Sequence, residues 1–134
     1  MPRSILTRAV LTAATAMLVW AVGATAQTGP WTAPDSAKAV KNPLPNDKKV
    51  VEQGSKVAAT NCASCHGKGG KGDGAAAVAL SPKPADWTSS AVQAESDGEL
   101  FWKISNGRGA MPPWKHLPES DRWAVIRFIR SLKK

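Results

Sequence analysis

The sequence predicts an all-α domain, and three observations carry that prediction. Three segments place apolar residues at helical spacing: Val50 to Ala58, Leu100 to Ile104, and Val125 to Leu132. No stretch shows the period-two alternation of a half-buried strand. Loops rich in glycine and proline separate the helical segments, and no internal repeat is present.

Ahead of these elements, residues 1–26 read as a secretory signal peptide. Arg3 and Arg8 precede an apolar run from about Ala9 to Ala24, and Ala24-Thr25-Ala26 offers a small-residue cleavage site before Gln27. The alternative is an uncleaved anchor, but the run is short for a spanning helix and includes Thr12 and Thr15. Export to a periplasm is therefore expected. Residues 27–46, with Pro30, Pro34, Pro43 and Pro45, read as an extended proline-containing arm on which Trp31 could dock back.

The domain proper is expected over residues 47–134. Its first helix starts near Asp47, with Asn46 or Asp47 as cap. Val50, Val51, Gly54, Val57 and Ala58 share one face. Gly54 is unfavourable inside a helix, and close approach of another helix is the physical reason to keep it. Residues 67–74 read GKGGKGDG, a tight turn. They lack the G-x-x-x-x-G-K-[ST] pattern and the preceding strand of a phosphate cradle. Ala75 to Leu80 can make a short helical turn, which Ser81-Pro82-Lys83-Pro84 stops. Ser96 and Glu99 form a capping box for a second helix, whose buried stripe is Leu100, Phe101 and Ile104 and whose end is Asn106-Gly107. The last helix runs from about Pro118 to Leu132, with Val125, Phe128, Ile129 and Leu132 on its inner face.

The most informative string is Cys62-Ala63-Ser64-Cys65-His66. C-x-x-C-H is the attachment signal for a c-type haem. Two thiols at this spacing can meet the two vinyl groups of one haem edge, and the next residue offers an imidazole to the iron. Both cysteines of the chain lie in this motif. A disulfide between Cys62 and Cys65 is the competing use in an exported protein, but it leaves His66 unexplained, and a thioredoxin-like site needs a βαβ setting. A zinc site would have to use Cys62, Cys65, His66 and His116, with two of the four adjacent and no H-x₃₋₅-H half.

A second axial ligand decides the job of such an iron. Once residues 1–26 leave, Met111 is the only methionine and His116 the only other histidine. Met111 follows Gly107 and Gly109 and precedes Pro112-Pro113, a stiffened loop suited to presenting a thioether. A pliable core filler is its alternative role. His116 reads as a solvated loop histidine with ligation as the lesser option. Trp87, Trp102, Trp114 and Trp123 could line a haem or simply fill the core, with Trp102 the first choice for haem contact. Arg108 and Lys115 could pair with a haem propionate, face a partner or stay solvated.

The formal net charge is +8, with lysines dispersed apart from Lys48-Lys49 and Lys133-Lys134. Dispersed charge on an exported chain points to steering toward acidic redox-partner proteins or a membrane surface rather than nucleic acid, with a generically solvated surface as the alternative; membrane association is possible but not expected. No acid–base pair or second metal site suggests an enzyme.

Taken together, these ordered pieces resemble the small single-haem class I cytochromes c of bacteria. The resemblance covers about residues 47–134. It rests on Gly54, Cys62 to Gly67, Gly72-Asp73-Gly74, Pro82 to Trp87, Asp97 to Phe101, Gly107-x-Gly109-x-Met111-Pro112 and Trp123 to Leu132, and the leader Trp31 to Pro45 also resembles arms of some members. It implies a compact cytochrome c fold of three to five helices around one covalently bound haem c. Cys62 and Cys65 would hold the haem, and His66 and Met111 would be its axial ligands. The first and last helices would cross with Gly54 near Phe128, and a carbonyl in Pro82–Pro84 would orient the His66 ring. Ala58 departs from a common aromatic and Pro118 from a common Ser or Thr cap. The function implied is one-electron transfer between redox partners. The alternatives are a small-gas-binding or sensing haem protein, or a haem subunit of a larger dehydrogenase or reductase.

Overall fold

A computed structural model describes residues 29–134, so the signal-peptide reading of residues 1–26 lies outside the described residues. Six α-helices and one 3-10 helix occur there: α1 Asp35–Lys38, α2 Lys48–Asn61, α3 Ala63–His66, the 3-10 helix Ala75–Ala79, α4 Ser90–Ala94, α5 Asp97–Asn106 and α6 Glu119–Ser131. The pairing Arg108 with Met111 is an isolated bridge, and no strand forms among the described residues. The count exceeds the three to five helices that the resemblance implies because α1, α3 and α4 are each about one turn long. The expected α2, α5 and α6 carry the fold.

Each long helix starts and stops for a local reason. Asp47 caps α2, its side chain accepting from the Val50 N–H at 2.9 Å. At α5 the Ser96 side chain accepts from Glu99 N–H while the Glu99 carboxylate accepts from Ser96 N–H at 2.7 Å, so two otherwise unpaired donors are satisfied together. Pro118 gives α6 no side-chain cap. Glu119 and Asp121 in the first turn favour the helix dipole instead. Asp121 also accepts from Gln53 Nε2 at 2.7 Å, which ties the start of α6 to α2.

The central packing is α2 across α6. A Cβ on Gly54 would lie 1.9 Å from the Ala124 carbonyl oxygen, so the two backbones touch where only glycine fits. The nearest atoms belong to Ala124 and Val125, one turn before the Phe128 that the resemblance implies. Ile126 and Ile129 are the largest fully buried side chains, and Trp123, Ala124 and Val125 are buried beside them. Nearly the whole circumference of α6 is covered over this stretch, more than the single stripe expected. α5 completes the core through Leu100.

Residues 29–46 differ from the expected extended arm. They include α1, and α1 lies against α5. Ala33 is buried, and Asn42 Nδ2 donates to the Trp123 carbonyl at 3.0 Å. Polar anchors between this segment and α6, from Asn42 on one side and Arg127 on the other, give it fixed partners that its proline content did not announce.

The loops are pinned as closely as the helices. Ser89 caps α4, and Gln93 Nε2 donates to the carbonyls of Trp87 at 2.7 Å and Ile129 at 2.9 Å. Arg130 donates to Asp97 at 2.8 Å and to the Glu95 carbonyl, closing the turn between α4 and α5. Among the described residues no helix is long and apolar enough to cross a membrane.

Candidate functional site

The chain turns at Cys62, which ends α2 and begins the single turn of α3, with His66 N–H donating to the Cys62 carbonyl at 2.9 Å. That turn presents Cys62, Cys65 and His66 to one cavity of about 950 Å³, and Met111 lines the same cavity. Its walls are largely apolar, including Leu80, Trp87, Leu100, Ile104, Val125 and Ile129. The volume is at the upper end for cofactor-sized ligands. A separate open groove of about 510 Å³, bounded by Lys38, Lys41, Asn42, Asp97 and Arg127, contains no cysteine, histidine or methionine.

Both thiols are free. Burial, and then the charge of nearby Cys65, pushes Cys62 up to about 11. An activated thiol of a redox-active dithiol has a lowered pKa, so Cys62 does not fit that role. Zinc fares no better: among the described residues no three His, Cys, Asp or Glu side chains group as a metal site. His116 is exposed, lies beside Trp114 at a ring separation of 5.3 Å and does not line the cavity.

His66 is held on two sides. Its Nδ1 lies 3.0 Å from the Ala85 carbonyl, one residue beyond the Pro82–Pro84 stretch expected to supply that oxygen. Nδ1 therefore carries the proton, and Nε2 keeps its lone pair for a metal. The imidazole stacks on Trp87 with centroids 4.6 Å apart and planes at 24°. Burial lowers the His66 pKa, only partly opposed by the Ala85 hydrogen bond, so the ring is a neutral ligand base at pH 7. The glycine loop is the frame beneath it. Gly72 N–H donates to the His66 carbonyl at 2.8 Å and Trp87 N–H to the Gly70 carbonyl at 2.7 Å. Its Gly70, Gly72 and Gly74 N–H groups bond within the fold, which leaves them no role as a phosphate cradle.

Met111 is presented by a short hairpin-like turn. Arg108 N–H donates to the Met111 carbonyl at 2.8 Å, and Met111 N–H returns to Arg108 at 3.0 Å. Trp114 N–H then bonds the Ile104 carbonyl at 3.0 Å, fastening the loop to α5. Among the aromatic candidates, Trp87 and Trp114 line the cavity and Trp102 does not. Trp123 instead stacks on Phe101, with centroids 3.9 Å apart. Arg108 is on the cavity wall, whereas Lys115 is not. Lys103 is a wall residue that sequence reasoning missed, because it lies in no motif, and Trp31, expected only to dock back somewhere on the domain, also stands on the wall. The spacing of Lys103 on the helix bearing Leu100 and Ile104 could have suggested it.

These residues fit a covalently held haem. The cavity is apolar and large, two thiols open onto it, one imidazole has its second nitrogen already satisfied, and a thioether shares the space.

Comparison with known proteins agrees. The family model described as cytochrome c oxidase, cbb3-type, subunit III matches residues 49–129. Cytochrome c6 of Cladophora glomerata is 33% identical over 89 residues, covering 62% of this chain and 89% of that protein. Among solved structures, the Kuenenia stuttgartiensis reducing HAO-like protein complex Kustc0457/Kustc0458 superposes with a TM-score of 0.62 at 26% identity, over 71% of this chain and 50% of that one. This chain thus spans only half the length of that relative. The KustC0563 c-type cytochrome superposes with a TM-score of 0.53 at 26% identity, over 60% of this chain and 98% of that one. The shared helical fold, the C-x-x-C-H turn and the matching family model make this chain a member of the c-type cytochrome family.

Proposed function

We propose that the protein is an exported, single-haem electron carrier of the periplasm, with Cys62 and Cys65 as the covalent anchors and His66 and Met111 as axial ligands. The observation that carries this reading is that all four side chains line one apolar cavity. When bound, the haem supplies a one-electron ferric–ferrous couple. The chain's own residues set how that couple behaves. Ala85 and Trp87 fix the His66 ring, which limits reorganisation when the charge changes. The Met111 thioether favours the ferrous state and raises the potential relative to two histidines. The largely apolar walls lower the polarity around the site.

On this reading the protein takes one electron from a donor and passes it to an acceptor, and it is not an enzyme. Exposed Lys68, Lys71, Lys83 and Lys115 favour partners with acidic docking surfaces. Export is supported by the sequence of residues 1–26. A second reading, a haem subunit of a larger redox complex, is favoured by the similarity to the HAO-like complex. Co-purification of a partner with the tagged chain would select it.

The test is the spectrum of protein made in a haem-ligating, exporting host. Reduced c-type bands and a weak far-red thioether-to-iron band in the oxidised form are expected, with the latter lost in Met111→Ala. Covalent haem without that band would remove Met111 from the iron. Absence of covalent haem would sink the whole reading.

A further inference from the structure

We propose that residues 29–44 form a strap over the Met111 side of the cavity, in which Trp31 positions the Met111 loop and closes the cavity to solvent and small ligands. This rests on the reading of Met111 as an axial ligand. It concerns a segment that the family match, beginning at residue 49, does not include.

The strap touches the cavity directly. Gly29 and Trp31 line it together with Lys103, Arg108 and Met111. It also touches the ligand loop, because the Arg108 guanidinium donates to the Gly29 carbonyl. Arg108 is the bridge partner of Met111, so the strap and the ligand are separated by one residue pair. Lys103 of α5 stands over the Trp31 ring, with Nζ 5.5 Å from its centroid. The same Nζ is 2.7 Å from the Glu95 carboxylate, in a pair whose side chains are 16% and 24% exposed. The cation that faces the indole is thus itself held in place.

The rest of the segment is anchored as a strap must be. A Cβ on Gly98 would lie 1.9 Å from the Ala37 carbonyl oxygen, so only glycine fits in α5 where the segment crosses it. Ala33 is 2% exposed. Asn42 bonds the Trp123 carbonyl, and Arg127 of α6 donates to the Leu44 carbonyl at 3.0 Å. A flexible linker makes no such set of contacts.

The chemistry gives this placement a consequence. A thioether is a weak ligand, and its hold on iron depends on a loop that is ordered before it binds. Trp31 and the Arg108 bond restrict that loop. Loosening them raises the population with Met111 detached, and entry of an outside ligand rises in proportion to that population. Admitting water at the same place lowers the potential.

The experiment uses the full-length holoprotein with Trp31→Ala, Trp31→Phe, Lys103→Met and Met111→Ala. Carbon monoxide association to the ferrous form is followed by stopped flow, beside the far-red band, the potential and hydrogen exchange at residues 107–111. Trp31→Ala is expected to bind carbon monoxide roughly tenfold faster than wild type, moving toward Met111→Ala. Its far-red band should weaken, its potential should fall, and exchange at residues 107–111 should quicken. Trp31→Phe should recover most of this. If Trp31→Ala fails to fold, Lys103→Met carries the test and should show a smaller change of the same sign. Wild-type rates, band and potential in the Trp31 and Lys103 variants, even with a lower melting temperature, would overturn the proposal and leave the segment a brace. A wild type that binds carbon monoxide as fast as Met111→Ala and lacks the far-red band would mean that the Met111 reading has failed first, taking the strap with it.

Discussion

Replacing Gly54 with alanine tests the packing that delivers the C-x-x-C-H turn to its cavity. By helix propensity alone, Gly54→Ala should stabilise α2 by about 1 kcal/mol. The structure reverses the sign. The new Cβ would stand 1.9 Å from the Ala124 carbonyl oxygen, 2.4 Å from its carbon and 2.9 Å from the Val125 nitrogen. These are backbone atoms and cannot rotate away. Relief requires α2 and α6 to separate by more than an ångström at their tightest point. Overpacking a core commonly costs about 1–3 kcal/mol, and a clash with backbone belongs at the upper end of that range. Less the propensity gain, a net loss of about 2 kcal/mol is expected, or a fall of roughly 8–16 °C in melting temperature for a domain this size. Val125 and Ile129 of α6 line the cavity, so the same separation should also weaken the far-red band. Urea unfolding followed by far-ultraviolet circular dichroism and Soret absorbance would measure both. A variant as stable as wild type, or more so, would refute the argument that the crossing requires glycine.

Three further outcomes are expected. The Glu99 carboxylate is held below its usual 4.5 chiefly by the Ser96 N–H bond. A lowered folded-state pKa stabilises the fold above the unfolded value and is lost as pH falls through the folded one. The gap in urea midpoint between wild type and Glu99→Gln should therefore be widest above pH 4.5 and close below it, and a gap independent of pH would refute this. His116→Asn should leave the spectrum and potential unchanged, since that ring is exposed and off the cavity wall, and loss of an axial signature would contradict it. Trp87→Ala should lose about 3–5 kcal/mol by cavity formation and shift the potential as the His66 ring loosens. Trp87→Phe should keep much of both, and identical potentials in all three proteins would remove Trp87 from the positioning of His66.

What was legible from sequence alone is local. The periodic apolar residues of α2, α5 and α6, the Asp47 cap and the Ser96–Glu99 box are signals contained within one helix or its first turn, and each helix formed where those signals lie. The C-x-x-C-H spacing is likewise local chemistry, and Met111 stood out because few other side chains can ligate iron. The one-turn helices α1 and α4 were not legible, since a single turn has no period to read, and the turn at Ala75–Ala79 was legible only from the prolines that stop it. The tertiary structure alone decided the longer-range matters. It placed Ala124 and Val125 against Gly54, the Ala85 carbonyl at His66, and Trp87 rather than Trp102 on the cavity wall. It also folded residues 29–44 back onto α5 and α6, where prolines had suggested an extended arm with at most Trp31 docked. The division has one physical cause. Periodicity and capping are written in neighbouring residues, whereas the partner of a carbonyl or an indole depends on how two distant segments cross, and that crossing is settled by backbone contacts such as the one at Gly54.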